Sequence, residues 1–467
     1  MRNGTISTAP IFNLSIPFVQ VNSTHSRSSD WIRRSLASVW HPCTQMQHHE
    51  TRPLVALKSG KGVWLYDQDG NRYFDAISSW WTNLFGHSNP FINQALKKQL
   101  DTLEHAMLAG CTHEPVVELS EKLSALTSHA LGHCFYASDG ASAVEIALKM
   151  SFHYWKNSGQ PQKQEFVCLE NSYHGETIGA LSVTDVPLFR DAYAPLIRNA
   201  HIIASPDNRK AAAGQTADDI AVAAAARLEA LLVQNADRIA AVIVEPLIQC
   251  AAGFVMYSPE YLRRVRALCD RYHVHLIADE IAVGFGRTGS FFACEQAGIW
   301  PDMLCLSKGI TGGYLPLSLV MTTDTVFRAF YDHDITRGFL HSHSYTGNPL
   351  ACRAALAVLE LFRRDDVIRH NRTVAEKLDQ ALAPLKTHPA IRHFRHLGMI
   401  WAFDVMMTPE KQATFAGRFF ETALKHELLM RPIGNTVYLM PPYIVRDGDI
   451  ELLADRVTAV LKEVIPS

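Results

Sequence analysis

Lys308 follows the apolar run 303–306 after a single serine and precedes Gly309 and the Gly312-Gly313 pair. A lysine at a buried strand end either snorkels its ammonium to water or supplies an amine for chemistry, such as condensation with a carbonyl. Asp279 closes another apolar run, 274–278, where a carboxylate by itself fits a helix cap or an ion pair equally well. The loop Ser138-Asp139-Gly140-Ala141-Ser142 joins the run 134–137 to a helical pattern over 143–154. Free N–H groups and the positive dipole end of a helix suit a phosphate, and the small Gly140 and Ala141 permit close approach. An ordinary capped strand–helix turn has the same appearance. Taken together, the amine, the carboxylate and the helix start meet the requirements of pyridoxal 5'-phosphate. The amine holds its carbonyl carbon, the carboxylate keeps the ring nitrogen protonated, and the helix start holds the phosphate. Tyr173, in the polar loop after run 166–169, is placed to stack on such a ring.

These side chains need elements that bring them together. The runs 134–137, 166–169, 241–244, 274–278 and 303–306 alternate with helical patterns, as in a parallel sheet covered on both faces. Each run ends in a polar cluster, the others being Glu170 to His174, Glu245, Asp279-Glu280 and Ser307-Lys308. Ligands of open α/β sheets bind at the carboxyl ends of the strands, so these clusters should converge on one crevice. Elsewhere the pattern predicts a hairpin over 63–73 turning at Asp69-Gly70-Asn71, and a helix over 91–103 opened by Asn89-Pro90. It also predicts a helix capped by Thr216 with Ile220, Ala224, Leu228, Leu231 and Leu232 on one face, and a long helix after Pro349. The resulting division is a disordered tail over 1–29, an N-terminal segment of a small domain over 30–85, a large domain over 86–348, and a linking helix with the rest of the small domain over 349–467.

Composition removes other classes. Lys+Arg 44 against Asp+Glu 46, without a basic stripe, argues against nucleic acid or an anionic membrane as partner. No apolar run reaches the ~18 residues of a membrane span, since 239–256 is broken by Glu245, Pro246 and Gln249, and no secretory signal is read. Scattered cysteines without a CxxC pair fit buried thiols of a cytoplasmic protein. The pairs His341/His343 and His273/His275 lack further ligands, so no metal is expected. Gly284-Phe-Gly-Arg-Thr-Gly289 matches the letters of a dinucleotide fingerprint, yet two acids separate it from its strand and no helix start follows. A structural glycine loop is the better reading, and a nicotinamide oxidoreductase is the one it leaves open.

The segments LIADEIAVGFGRTG (276–289) and PDMLCLSKGITGG (301–313) resemble the signature of the class III aminotransferases, pyridoxal phosphate enzymes of fold type I. The resemblance runs from about residue 31 to the end. It includes Trp40-His-Pro, Ser78-Ser-Trp-Trp81, Tyr173-His-Gly, AAVIVEP (240–246), Gly347-Asn-Pro349, Arg431-Pro and Tyr438-Leu-Met-Pro-Pro-Tyr443. It implies an α/β fold with a mostly parallel central sheet in the large domain and a smaller α+β domain. It further implies Lys308 as the Schiff-base lysine, Asp279 as partner of the pyridine nitrogen, Gly140 and Ala141 on the phosphate, and Ile281 and Tyr173 on the ring faces. Trp80 becomes a wall of the substrate pocket and Arg431, with its planar fork, the anchor of a substrate carboxylate. Ser342-His343-Ser344 stands where related enzymes bring a hydroxyl residue from a second subunit, which implies a homodimer with His343 and Ser344 at the cofactor and Ser342 at the substrate. The paired tryptophans and the YLMPPY segment resemble the members acting in biotin synthesis. They imply 8-amino-7-oxononanoate as acceptor and S-adenosylmethionine as donor, in a ping-pong cycle. Two departures stand out. Ser138-Asp139-Gly140-Ala141 replaces an Asp-Ser-Gly-Ser order and loses a hydroxyl. Cys43 replaces a tyrosine that shapes the donor site, which leaves that site roomier and keeps lysine as a rival donor. Another class III ω-aminotransferase, or a non-catalytic pyridoxal phosphate protein, are the alternatives; the presence of both Lys308 and Asp279 counts against the second.

Overall fold

Unbroken runs of Val, Ile, Leu and Ala need cover on both faces, and they receive it. The computed structural model describes residues 27–52 and 54–465. Its central sheet comprises β1 (His133–Ala137), β2 (Glu165–Leu169), β3 (His201–Ile203), β4 (Ile239–Val244), β5 (His275–Asp279), β6 (Met303–Leu306) and β7 (Ser318–Thr322). Their spatial order is β1-β7-β6-β5-β4-β2-β3. β4, β5, β6 and β7 are buried at every position. All neighbours are parallel except where β7 meets β6 and β1. The five expected runs are β1, β2, β4, β5 and β6. β3 and β7 are additions: β3 is a three-residue edge strand, and β7 runs antiparallel after only a short 3-10 turn, Lys308–Thr311.

Helix α1 (Gly140–Asn157) covers one face of the sheet, while α2 (Ala217–Asn235) and α3 (Pro259–Tyr272) cover the other. The alternation along β4 shows this: Ala241 and Ile243 pack with Val144 and Ala147 of α1, whereas Val242 and Val244 pack with Leu228 of α2 and Leu262 of α3. α1 begins earlier than expected, because Gly140, Ala141 and Ser142 carry no hydrophobic period. Thr216 caps α2 as expected, in a capping box with Asp219. At the opposite edge from the strand ends, Lys163 Nζ donates to the carbonyls of Ala236, Ile239 (3.2 Å) and His273 (2.9 Å), tying the ends of α2 and α3 to the start of β4. His275, at the start of β5, stacks on Trp155 with ring centroids 4.7 Å apart and lies 2.9 Å from Ser151 Oγ.

Towards the C-terminus, α4 (Pro349–Arg364) buries one face in the core. It leads to an antiparallel sheet of β8 (Ile391–Leu397), β9 (Ile400–Val405) and β10 (Thr436–Leu439), with long helices Pro409–Lys425 and Asp447–Val464. The short strand Leu428–Leu429 pairs in parallel with Phe74 and Asp75 of the strand Arg72–Asp75. The described residues divide into two units, one comprising those up to Ser59 with Tyr66–Asn71 and the other Gly60–Leu65 with those from Arg72 onward. The expected boundaries at 85/86 and 348/349 fall inside the larger one. In the smaller, Asp67 Oδ1 accepts from the N–H groups of Asp69 and Asn71, forming the expected turn. The helix Arg27–Ser38 begins within the segment expected as a tail; the rest of that segment, 1–26, lies outside the described residues. The helix opened by Asn89 is Pro90–Leu100, shorter than expected. No helix of the described residues is long and apolar enough to cross a membrane.

Candidate active site

The carboxyl ends of β1, β4, β5 and β6, with the loop after β2, enclose a cavity of about 290 Å³. Gly140, Ala141, Tyr173, Asp279, Ile281 and Lys308 all line it, together with Asp139, His174, Glu245 and Trp81. The expected convergence of polar clusters is therefore met at one crevice.

Asp279 ends β5 and is 5% exposed. Its Oδ2 accepts from His174 Nδ1 at 2.7 Å, and its Oδ1 accepts from the Ile281 N–H at 3.1 Å. A carboxylate fixed by a buried imidazole and a backbone amide cannot swing away, so it keeps one orientation toward the cavity. Lys308 follows β6 and its Nζ lies 5.0 Å from the centroid of Trp81. Burial lowers the Lys308 amine below its ordinary value, opposed chiefly by the negative field of Asp279. That shift favours the neutral, nucleophilic amine. Glu245 follows β4, accepting from the N–H groups of Tyr173 (3.1 Å) and Cys250 (3.2 Å). Burial first, and the neighbouring Asp279 second, push the Glu245 carboxyl well above the usual carboxylate range.

The start of α1 is held from two sides. A Cβ on Gly140 would lie 2.9 Å from Ile281 Cγ2, and one on Gly175, whose φ is +112°, would lie 2.5 Å from Ala141 Cβ. Only glycines allow this approach. Asp139 directs its carboxylate to Ser142 N and Oγ, at 3.0 and 2.9 Å. The N–H groups of Gly140 and Ala141 thus remain for an outside acceptor. The cavity so built fits a flat ring bearing a phosphate: amide donors at one end, a fixed carboxylate at another, an amine on the wall, and Ile281 and Tyr173 at its borders.

Ser78, Ser79, Trp80 and Trp81 carry φ values of +51°, +46°, +70° and +74°, one turn of left-handed backbone without a glycine. Each such residue costs about 1–2 kcal/mol. The turn sends the tryptophans apart. Trp81 is buried and lines the cavity, whereas Trp80, expected as a wall of the substrate pocket, is 47% exposed with the Arg431 guanidinium 5.3 Å from its ring. Ser342 and Ser344 are exposed and, like His343, do not line the cavity of their own chain; His343 Nε2 lies 3.1 Å from His341 Nε2. Cys43 is an exposed residue of the smaller unit with φ +55°. His174 and Glu245 belong to clusters expected at the crevice but carried no individual role in the sequence, and Trp81 stood only inside the Ser-Ser-Trp-Trp motif. The glycine loop 284–289 leads to no helix start of a dinucleotide site. It wraps Arg287, 1% exposed, which donates to Pro441 O at 2.8 Å and lies 4.9 Å from the Tyr443 ring.

A mostly parallel sheet that gathers a lysine, an aspartate and a helix start at its strand ends is the scaffold of an aminotransferase. Residues 45–461 match the family aminotransferase class-III, and the chain belongs to that family. It is 45% identical over 435 residues to the adenosylmethionine-8-amino-7-oxononanoate aminotransferase of Helicobacter pylori, covering 92% of this chain and 97% of the relative. Its structure is similar to that of the adenosylmethionine-8-amino-7-oxononanoate aminotransferase from Methanocaldococcus jannaschii, with a TM-score of 0.87, 34% identity, and coverage of 93% of this chain and 99% of the other. It is also similar to an amine transaminase from an uncultivated Pseudomonas species in its PLP-bound form, with a TM-score of 0.86, 29% identity, and coverage of 92% and 99%.

Proposed function

We propose that this chain is a pyridoxal-phosphate-dependent aminotransferase that converts 8-amino-7-oxononanoate to 7,8-diaminononanoate in biotin synthesis, with S-adenosylmethionine as amino donor. The observation that carries the reading is the placement of Lys308 and the His174-held Asp279 in one cavity with the start of α1, in a chain 45% identical to a relative of that name. When bound, pyridoxal phosphate supplies an electron-accepting ring and the carbonyl carbon at which the amino group is exchanged. Gly140 and Ala141 bind the phosphate through their N–H groups. Asp279 holds a proton on the ring nitrogen, and Ile281 and Tyr173 confine the ring faces. Lys308 Nζ would hold the cofactor at its carbonyl carbon. Once freed by the donor amine, it would carry the proton taken from the donor α-carbon and, in the second half-reaction, the one given to the former ketone carbon of the acceptor. Arg431 orients the donor carboxylate, and the tryptophans exclude water. Ser344 from a second copy of the chain completes the phosphate site, a role supported by its position away from the cavity of its own chain. Buried thiols outside any disulfide, such as Cys168, Cys269 and Cys305, fit the cytoplasm.

The test is product formation by purified enzyme from 8-amino-7-oxononanoate with each donor, followed by mass spectrometry. Diaminononanoate is expected with S-adenosylmethionine. Cys43 favours a second reading for the donor alone, since a thiol directs a large donor less than a phenol does. Product with lysine and none with S-adenosylmethionine would reassign the donor. No product with either, alongside turnover of a simple ω-amine, would move the enzyme to another branch of the family.

A further inference from the structure

The left-handed turn Ser78–Trp81 has no glycine to ease it and persists only because its surroundings dictate it. Two buried charges flank it. Asp75, 0% exposed, accepts from Ser79 N on one oxygen at 2.8 Å and from Ser79 Oγ on the other at 2.7 Å. The second oxygen also accepts from His87 Nε2 at 3.0 Å, and His87 Nδ1 accepts from Asn83 Nδ2 at 3.0 Å. Beyond its bond to Pro441, Arg287 reaches the carbonyls of Trp81 and Asn83 at 3.5 and 3.4 Å. Ser78 Oγ donates to Met440 O at 2.7 Å and Trp81 Nε1 donates to Tyr438 OH at 3.2 Å, so the turn is also pinned to the YLMPPY segment.

Asp75 has His87 beside it and Arg287 is held mainly by Pro441 O, yet both also reach the turn, Asp75 through Ser79 and Arg287 through the Trp81 carbonyl. We propose that Asp75 and Arg287 form a clamp that positions Trp81 against Lys308 and Trp80 against Arg431, making Asp75 and Arg287 positioning residues for acceptor binding. The proposal rests on the functional reading above. Without the clamp the strained turn relaxes toward right-handed backbone and the two indoles leave their places, which weakens acceptor binding more than the chemical step.

The experiment compares holoenzyme carrying Asp75→Asn or Ser79→Ala with wild type. In Asp75→Asn the KM for 8-amino-7-oxononanoate should rise about tenfold, with kcat within about twofold. Amide exchange over residues 76–87 should accelerate, and borohydride should still attach the cofactor to the Lys308 peptide. Ser79→Ala, which removes only the hydroxyl bond, should shift both readouts the same way by less. Faster exchange with an unchanged KM overturns the clamp. So does a fall in kcat and melting temperature together in Ser79→Ala, which would mark a merely structural role. If Asp75→Asn does not fold, Ser79→Ala decides alone. Wild-type enzyme inactive on the oxononanoate refutes the functional reading only; exchange at 76–87 and the KM for whichever amine is turned over then decide the clamp.

Discussion

An amide in place of a carboxylate keeps the shape of Asp279 and removes its charge. Asp279→Asn should therefore retain the cofactor, visible as its absorption band, while kcat falls by about 10²–10⁴. Loss of cofactor instead, measured by dialysis, would show that the carboxylate serves binding rather than turnover. Gly140→Ala probes the phosphate end. Its methyl would press on Ile281 Cγ2 at 2.9 Å, so cofactor affinity should drop about tenfold, and Ile281→Ala in the same chain should restore most of it. Lys308, Asp279 and Gly140 were legible in the sequence because each stands within three residues of the end of an apolar run, and a strand end has a fixed place in a parallel sheet. His174 was not, because its role depends on a loop folding back to a strand more than a hundred residues later. Nor did the sequence mark Trp81 as a wall of this cavity. Neighbouring identical residues are separated only by the backbone, and a left-handed turn without glycine leaves no mark in composition.

For the elements, what could be read was the alternation of apolar runs with helices. β7 escaped because it follows β6 without a long helix, and β3 because three residues at an edge, His201–Ile203, show no run. A helix start rich in Gly, Ala and Ser has no period either, which is why α1 begins earlier than its pattern. The far edge of the sheet offers a test of packing independent of catalysis. Burial first, aided by the positive Arg266 and Lys163 and opposed by Asp302, lowers the His275 pKa from 6.5 to about 4. An unfolded chain takes up that proton below about pH 6.5, whereas the folded one resists it down to about 4. Stability from this group is thus present above 6.5 and lost as pH falls toward 4, by about 3 kcal/mol in all. His275→Gln should flatten the fall in melting temperature across that window. An unchanged slope would place the acid sensitivity elsewhere.

Across the whole molecule, the proposed loan of Ser344 from a second copy would make activity a property of pairs. Ser344→Asp should disable the neighbouring site by setting a carboxylate against the phosphate, and Lys308→Ala disables its own. Mixed and reassembled, the two inactive variants should recover about a quarter of wild-type activity, because half the pairs carry one intact site. No recovery on mixing, with hybrid dimers shown to form, would place Ser344 outside the shared site.

The strand order also sets a timetable for synthesis. β2 to β6 occupy adjacent places in the sheet and can assemble as the growing chain delivers them, but β1, which carries the start of α1, pairs only with β7. Among the strands of the sheet, the end of the cavity made first is consequently the last to be paired, once Ser318–Thr322 has left the ribosome. The phosphate end that the start of α1 offers is therefore framed by the sheet only after β1 has waited for a partner made about 180 residues later.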